Sequence, residues 1–301
     1  MKGQIIVRNL VKTFDGVRAL DGLNLTVPEG AVYGLVAPNG AGKSTCIRCL
    51  AGIYRQDSGE ITIDNQPVFE NTALKARIAY IPDDIFFYTQ ATMPEMKKLF
   101  REVYPAFRED RFEKLGQAFE LDPKKPIRKF SKGMQKQAAF WLALSIAPDF
   151  VLLDEPMDGL DPLMRRQIWS ILLSEVAERN VTVLVSSHNL RELEDVCDHV
   201  GMMDHGKMLL EHSLSDLQEN MVKIQVVFPE GKSLPEGLSV LHQSAVGRVQ
   251  QLILRGKPEE IAQRITACAP VFMDVLPLSL EEIFIYELGG EHHAIKNIIL
   301  S

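Results

Sequence analysis

Four cysteines in 301 residues are too few for a disulfide scaffold and fit a reducing compartment. No apolar run approaches the roughly 18–20 residues that cross a bilayer, so no membrane span is expected. The N-terminus, MKGQIIVRNL, has no long apolar segment, so no secretory signal is expected. Cations do not outnumber anions: 33 Lys and Arg against 40 Asp and Glu leave a net charge of −7, which argues against broad electrostatic binding of nucleic acid. Repeats and low-complexity tracts are missing too. Apolar residues at 46% and charged residues at 24% describe an ordinary globular chain with a substantial core.

The pattern along the chain alternates strands with helices, which argues for a mostly parallel sheet. Ile5 and Val7, then Leu23, Leu25 and Val27, alternate with polar neighbours as strands do. VYGLV (32–36) runs into a Gly, Pro and Asn loop and a helix over about 43–52. ITID (61–64) and IAYI (78–81) read as strands. From about 92 to 148 the period turns helical, with Met93, Met96, Leu99, Phe100 and Val103 at three- and four-residue spacing. Ser131 reads as the N-cap of a helix running toward Ala147. FVLLDE (150–155) is an apolar strand of the kind buried in a parallel sheet. A helix (162–179), a strand (181–186), a helix (189–197) and a strand (199–204) follow. After about residue 221 a mix of strands with one helix, PEEIAQRITAC, suggests a separate small domain.

The strongest chemical signal is NGAGKST at 39–45, set between a strand and a helix. Read back to Ala37, the loop Ala37, Pro38, Asn39, Gly40, Ala41 and Gly42 turns its N–H groups inward to cradle phosphate oxygens, and the helix N-terminus adds positive potential. Lys43 reaches the β- and γ-phosphates and Ser44, beside Thr45, ligates Mg²⁺. Ala37 stands where the pattern has its first glycine, so φ there must be negative. Cys46 and Cys49, although spaced C-x-x-C, fall on the following helix and read as packing residues. The second signal is the acidic end of FVLLDE: Asp154 holds Mg²⁺, while Glu155, on the opposite face of the strand, polarises a water for in-line attack.

Three further segments complete an order of motifs. FSKGMQ (130–135) precedes the helix before the acidic strand, GLD (159–161) follows that strand, and His188 follows the next one in VSSHN. This order resembles the ATP-binding-cassette (ABC) ATPases over about residues 4–215. The resemblance implies an α/β fold: a phosphate-loop NTPase domain over 1–220, with a helical subdomain at about 90–148, and an accessory α/β domain over 221–301. It implies that Ser131 and Gly133 belong to a signature motif and Asp161 to the D-loop. His188 becomes a switch residue, acting with Lys43 and Glu155 in catalysis, and Phe14 the aromatic that stacks on adenine. The implied cofactors are ATP and Mg²⁺. In that family two domains meet head to tail, each ATP lying between the phosphate loop of one and the signature motif of the other. The partner is then a second ABC subunit, in a homo- or heterodimer.

Two positions depart from the family pattern. Lys132 replaces a glycine of the signature and is expected to be solvated. Asp83, followed by Asp84, stands where the family has a glutamine; a carboxylate can still ligate Mg²⁺, and acidic residues here resemble single-domain ATPases of bacterial exporters. Ile85, Phe86, Phe87 and Tyr88 are either core or a docking groove for a helix of a membrane subunit. The resemblance therefore points to a subunit that drives separate transmembrane permease subunits, in export, from the cytoplasmic face of the membrane. The alternative is a soluble ABC ATPase acting on nucleic acid or the ribosome, against which stand the single cassette and the lack of a long heptad run between Lys43 and Ser131. A phosphate-loop kinase is disfavoured by the signature and by His188. SLEEIFI (279–285) resembles a closing segment of exporter subunits, and His292–His293 read as a tail.

Overall fold

The computed structural model describes residues 3–287; the His292–His293 pair lies outside them. The chain divides into two compact units. The first comprises the chain to His188 together with Val196–Glu211. The second comprises Asn189–Asp195 and the chain from His212 onward.

In the first unit, β1 (Ile5–Phe14) and β2 (Val17–Val27) form an antiparallel hairpin. With β4 (Ser58–Ile63) and β5 (Gln66–Pro67) they make a four-stranded sheet in the order β2-β1-β4-β5. The other sheet has six strands in the order β10-β9-β3-β8-β7-β6. These are β3 (Val32–Val36), β6 (Ile78–Ile81), β7 (Phe150–Leu153), β8 (Thr182–Ser187), β9 (His199–Asp204) and β10 (Lys207–Ser213). The pairings among β9, β3, β8, β7 and β6 are parallel.

Helix α1 (Lys43–Leu50) is packed between the two sheets. Its Cys46, Ile47, Cys49 and Leu50 meet Leu10, Leu20 and Leu25 of one sheet and Leu35, Phe150 and Leu184 of the other. Each fully buried aliphatic side chain here contributes about 1.5–3 kcal/mol. The position of α1, and with it the loop at its N-terminus, is thereby fixed from both sides. Burial pushes the Cys46 thiol far up and the Cys49 thiol up to about 11, so both are inert packing groups.

The short α2 (Thr72–Lys75) connects the sheets. The helical segment contains α3 (Met93–Val103), α4 (Glu109–Phe119) and α5 (Lys132–Ser145), followed after β7 by α6 (Pro162–Arg179). Thr92 and Glu95 form a capping box at the start of α3. Of its apolar stripe Met93 and Met96 are buried, whereas Leu99 and Val103 are exposed.

The helix expected over 189–197 is reduced to one 3₁₀ turn, Leu190–Glu192. The Asn189 carboxamide oxygen accepts the Arg191 N–H at 3.0 Å and caps that turn.

The second unit adds α7 (Leu214–Glu219), β11 (Met221–Val227), β12 (Ser239–Val246), β13 (Val249–Arg255), α8 (Pro258–Thr266), β14 (Phe272–Leu276) and α9 (Leu280–Glu287). Its strands form an antiparallel sheet in the order β12-β13-β11-β14. Val222, Ile224 and Val226 alternate onto one face, where Ile261 and Ile265 of α8 close the core. On α9, Glu282 accepts the Ser279 N–H at 3.1 Å and pairs with Lys223 at 2.6 Å. Arg191 pairs with Glu281 at 3.0 Å. That ion pair ties the 189–195 segment to this unit, whose main body begins at His212 where the sequence suggested residue 221.

Candidate functional site

The loop over 37–42 leaves β3 and enters α1. Gly42 has φ of 109°, and a Cβ there would lie 2.5 Å from the Ala19 carbonyl oxygen, so only glycine fits. Gly40 also takes a positive φ, at 81°. Ala37 does not, so its methyl group carries no backbone strain and lies fully buried. Asn39 and Gly40 are exposed at the crest of the loop, and Ala41 is buried beneath it.

Lys43 is 5% exposed. Its Nζ donates to the carbonyls of Ala37 (2.7 Å) and Pro38 (3.3 Å) and lies 3.0 Å from Glu155 Oε1. Oε1 has no hydrogen bond of good direction, so this contact is an ion pair held by charge. The other oxygen, Oε2, lies 3.0 Å from His188 Nδ1. An ionised carboxylate only accepts, so Nδ1 carries the shared proton and Nε2 is left for another partner. The three residues expected to act in catalysis therefore meet at one carboxylate.

Asp154 and Glu155 do not extend the strand as alternating faces. β7 ends at Leu153, and Glu155 adopts a left-handed φ of 44°. A non-glycine residue there costs about 1–2 kcal/mol, which surrounding contacts must offset. Two do: the Glu155 N–H donates to Ser186 Oγ at 3.0 Å, and its carbonyl accepts from Lys136 Nζ at 2.8 Å.

Asp154 is fully buried. Oδ1 accepts from the hydroxyls of Ser44 and Ser186, both at 3.0 Å, while Oδ2 has no partner. Burial raises its carboxyl above the usual carboxylate range, against those two donors. A hydroxyl beside an unpaired, buried carboxylate oxygen is a donor set that fits Mg²⁺. A folded pKa above the unfolded value of about 4 means that stability is greatest below pH 4 and is lost as pH rises through the folded value. Asp154→Asn is therefore expected to melt at a higher temperature than the parent at pH 7, with the gap narrowing as pH falls towards 4. Thermal melts of the nucleotide-free protein at the two pH values check this, and a lower melting point at pH 7 contradicts it.

Phe14, 38% exposed at the end of β1, makes a T-shaped contact with Tyr54, ring centroids 5.2 Å apart, and Lys12 Nζ lies over its ring, 5.2 Å from the centroid. Ser131 caps α5, its hydroxyl accepting the Met134 N–H at 3.3 Å. Gly133 is buried, and a Cβ there would lie 3.4 Å from Leu160. Asp161 caps α6 through the N–H groups of Leu163 and Met164, both at 2.9 Å. These three lie on other elements and are not brought to the phosphate loop by any contact among the described residues. Lys132 is exposed, as expected of a solvated lysine.

Asp83 is exposed, and its partner is Lys136, 3.7 Å away, not Ser44 or Asp154. Phe87 is 5% exposed and belongs to the core, whereas Phe86 is 75% exposed. Lys136, Ser186 and Asp158 join the site in the fold without a signal in the sequence. Asp158 lies with Glu155 and His188 within metal-ligand reach of one another. No local motif marks these three, since each acts only after distant segments pack.

The sequence profile of the ABC transporter family matches residues 20–158. The ABC transporter ATP-binding protein YtrB of Bacillus subtilis (strain 168) is 31% identical over 290 residues, 95% of this chain and 99% of its own. The bacitracin transport ATP-binding protein BcrA of Bacillus licheniformis is 33% identical over 214 residues, 70% of each chain. A solved ATP-binding subunit of an ABC transporter superposes with a TM-score of 0.66 at 26% identity, over 71% of this chain and 91% of that one. With the phosphate loop and the acidic strand end in place, the chain belongs to the ABC transporter family as one of its ATP-binding subunits, an ATPase.

Proposed function

We propose that two copies of such a subunit close around two Mg·ATP and that hydrolysis reopens them, moving separate membrane subunits in an export cycle. The observation that carries this reading is the junction of Lys43, Glu155 and His188 at one buried carboxylate beside the Ser44–Asp154 pair. Lys43 and the loop amides bind the phosphates, and Phe14 stacks on the base. Ser44 and Asp154 hold Mg²⁺, which when bound neutralises charge on the β- and γ-phosphates. Glu155 takes the proton of the attacking water, and His188 Nε2, an acceptor while Nδ1 carries the proton, accepts a hydrogen bond from that water and so orients it. Ser131 and Gly133, at the N-terminus of α5, contact the nucleotide of the partner copy. Neither half-site is complete alone, so nucleotide binding favours pairing and hydrolysis removes that contribution. Residues 212 onward serve as an accessory domain.

Among the described residues no helix is long and apolar enough to cross a membrane. In this cycle transport itself belongs to other polypeptides, and this subunit acts peripherally from the cytoplasmic face. Phe86, Tyr88, Leu99 and Val103 are all exposed, and beside them a cavity of about 210 Å³ is lined by Ile85, Phe86, Met96, Phe100 and Tyr104. Such a patch suits a short amphipathic helix of a membrane subunit. Export is supported by the likeness to the Nod factor export ATP-binding protein I of Rhizobium sp. (strain N33), 30% identical over 307 residues, 96% of this chain and 98% of its own. Phe86→Asp is expected to abolish co-purification of polytopic subunits from native membranes; undiminished co-purification counts against this docking surface. Phe87→Asp does not test it, because that side chain is buried.

A further inference from the structure

Lys136 lies in the second turn of α5 and is only 6% exposed. A buried ammonium is costly unless its partners are fixed and charged. Here the Nζ donates to the carbonyl of Glu155 at 2.8 Å and lies 3.7 Å from Asp83 Oδ1. Asp83, Asp158 and Glu155 all act on it electrostatically. Burial lowers the Lys136 ammonium below the usual lysine range, and these three carboxylates oppose that shift. A neutral side chain could satisfy a lone carbonyl. A cation is suited to a site ringed by carboxylates.

What Lys136 holds is the strained residue of the site. Glu155 sits at φ 44°, and its peptide is clamped on one side by Ser186 Oγ and on the other by Lys136. The clamp aims the carboxylate at Lys43 and His188. Lys136 belongs to the helix opened by Ser131, and Asp83 to the loop after β6. One ammonium therefore joins the helix that carries the signature segment, the acidic loop and the backbone of Glu155.

We infer that Lys136 is a positioning residue for hydrolysis, holding Glu155 in its left-handed conformation, and that Asp83 acts through Lys136. This rests on the reading of Glu155 as the base. It also gives the departure at Asp83 a role that does not require Mg²⁺. Removing the clamp misplaces the carboxylate without touching the phosphate loop, and an error of about 1 Å at a reacting group costs on the order of 100-fold in rate.

The experiment is steady-state ATP hydrolysis and ATP affinity of the full chain for the parent, Lys136→Met, Lys136→Arg, Asp83→Asn, the Lys136→Met/Asp83→Asn pair and Glu155→Gln. Lys136→Met is expected to lower kcat about 10–100-fold while KM and ATP affinity stay within about threefold. Lys136→Arg, which keeps donor and charge, recovers most of that loss. Asp83→Asn lowers kcat less, and adds under about twofold once Lys136 is Met, because both act through one contact. A kcat within twofold of the parent in Lys136→Met overturns the inference. So does a fall in ATP affinity matching the fall in kcat, or an Asp83→Asn effect that multiplies independently. Should Lys136→Met fail to fold, Lys136→Gln is the test variant, and parental kcat there is equally decisive against it. Rapid turnover in Glu155→Gln overturns the base assignment itself. A dead Glu155→Gln beside a fully active Lys136→Met overturns only the role of Lys136.

Discussion

Glu155→Gln is expected to bind ATP with near-parental affinity, to accumulate as a nucleotide-bound pair and to turn over about 10²–10⁴-fold more slowly. The carboxamide keeps the size of the side chain, and its oxygen can still accept from Lys43 or from His188 Nδ1, which now share it at 3.0 Å through the two carboxylate oxygens. What is lost is the ability to take a proton at Oε1 or Oε2 as the water attacks. The loss should therefore lie in kcat, with KM little changed. Single-turnover hydrolysis together with size-exclusion chromatography in Mg·ATP reads both consequences. Rapid turnover with an intact fold removes Glu155 from the role of base, and the explanation of its strained backbone with it.

Lys43→Ala acts on the other partner of the same ion pair. Lys43 is buried and reaches the Ala37 and Pro38 carbonyls as well as Glu155. A phosphate oxygen competes for that ammonium with a full negative charge, and a charge-assisted hydrogen bond is worth about 1.5–3 kcal/mol. Affinity for ATP should drop about 10–150-fold on that account. Titration calorimetry measures it directly. The variant also leaves the Glu155 carboxylate buried without its cation, so the nucleotide-free protein should melt at a lower temperature than the parent. Unchanged affinity discredits the phosphate-loop assignment whatever the melting point does.

Part of this site was open to inspection in the sequence because it is built from consecutive residues. NGAGKST carries its own geometry: Gly42 is required by a positive φ and by the Ala19 carbonyl, and Lys43 and Ser44 follow directly as the first helical residues. Ser131 announces the start of α5 because a hydroxyl at that point satisfies a free N–H. The four apolar residues Phe150–Leu153 announce a buried strand. By contrast, the period of the α3 stripe tells which residues share a helix face but not how much of that face is covered, and Leu99 and Val103 prove exposed. Neighbours in an irregular segment are harder still: composition cannot separate Phe86 from Phe87, since no period applies there.

By itself, then, the sequence determined the Gly-rich loop, the acidic end of β7 and the alternation of strands with helices, which are patterns within short segments, and the order of those segments pointed to the family. Only the tertiary structure decided that Glu155 turns left-handed between Ser186 and Lys136, that Lys43 and His188 converge on it, that Asp83 answers to Lys136, and that Asn189–Asp195 joins the second unit. These are contacts between segments far apart in the chain. Their geometry is set by how α5, β7 and β8 pack against one another, and no spacing within any one of those segments encodes it.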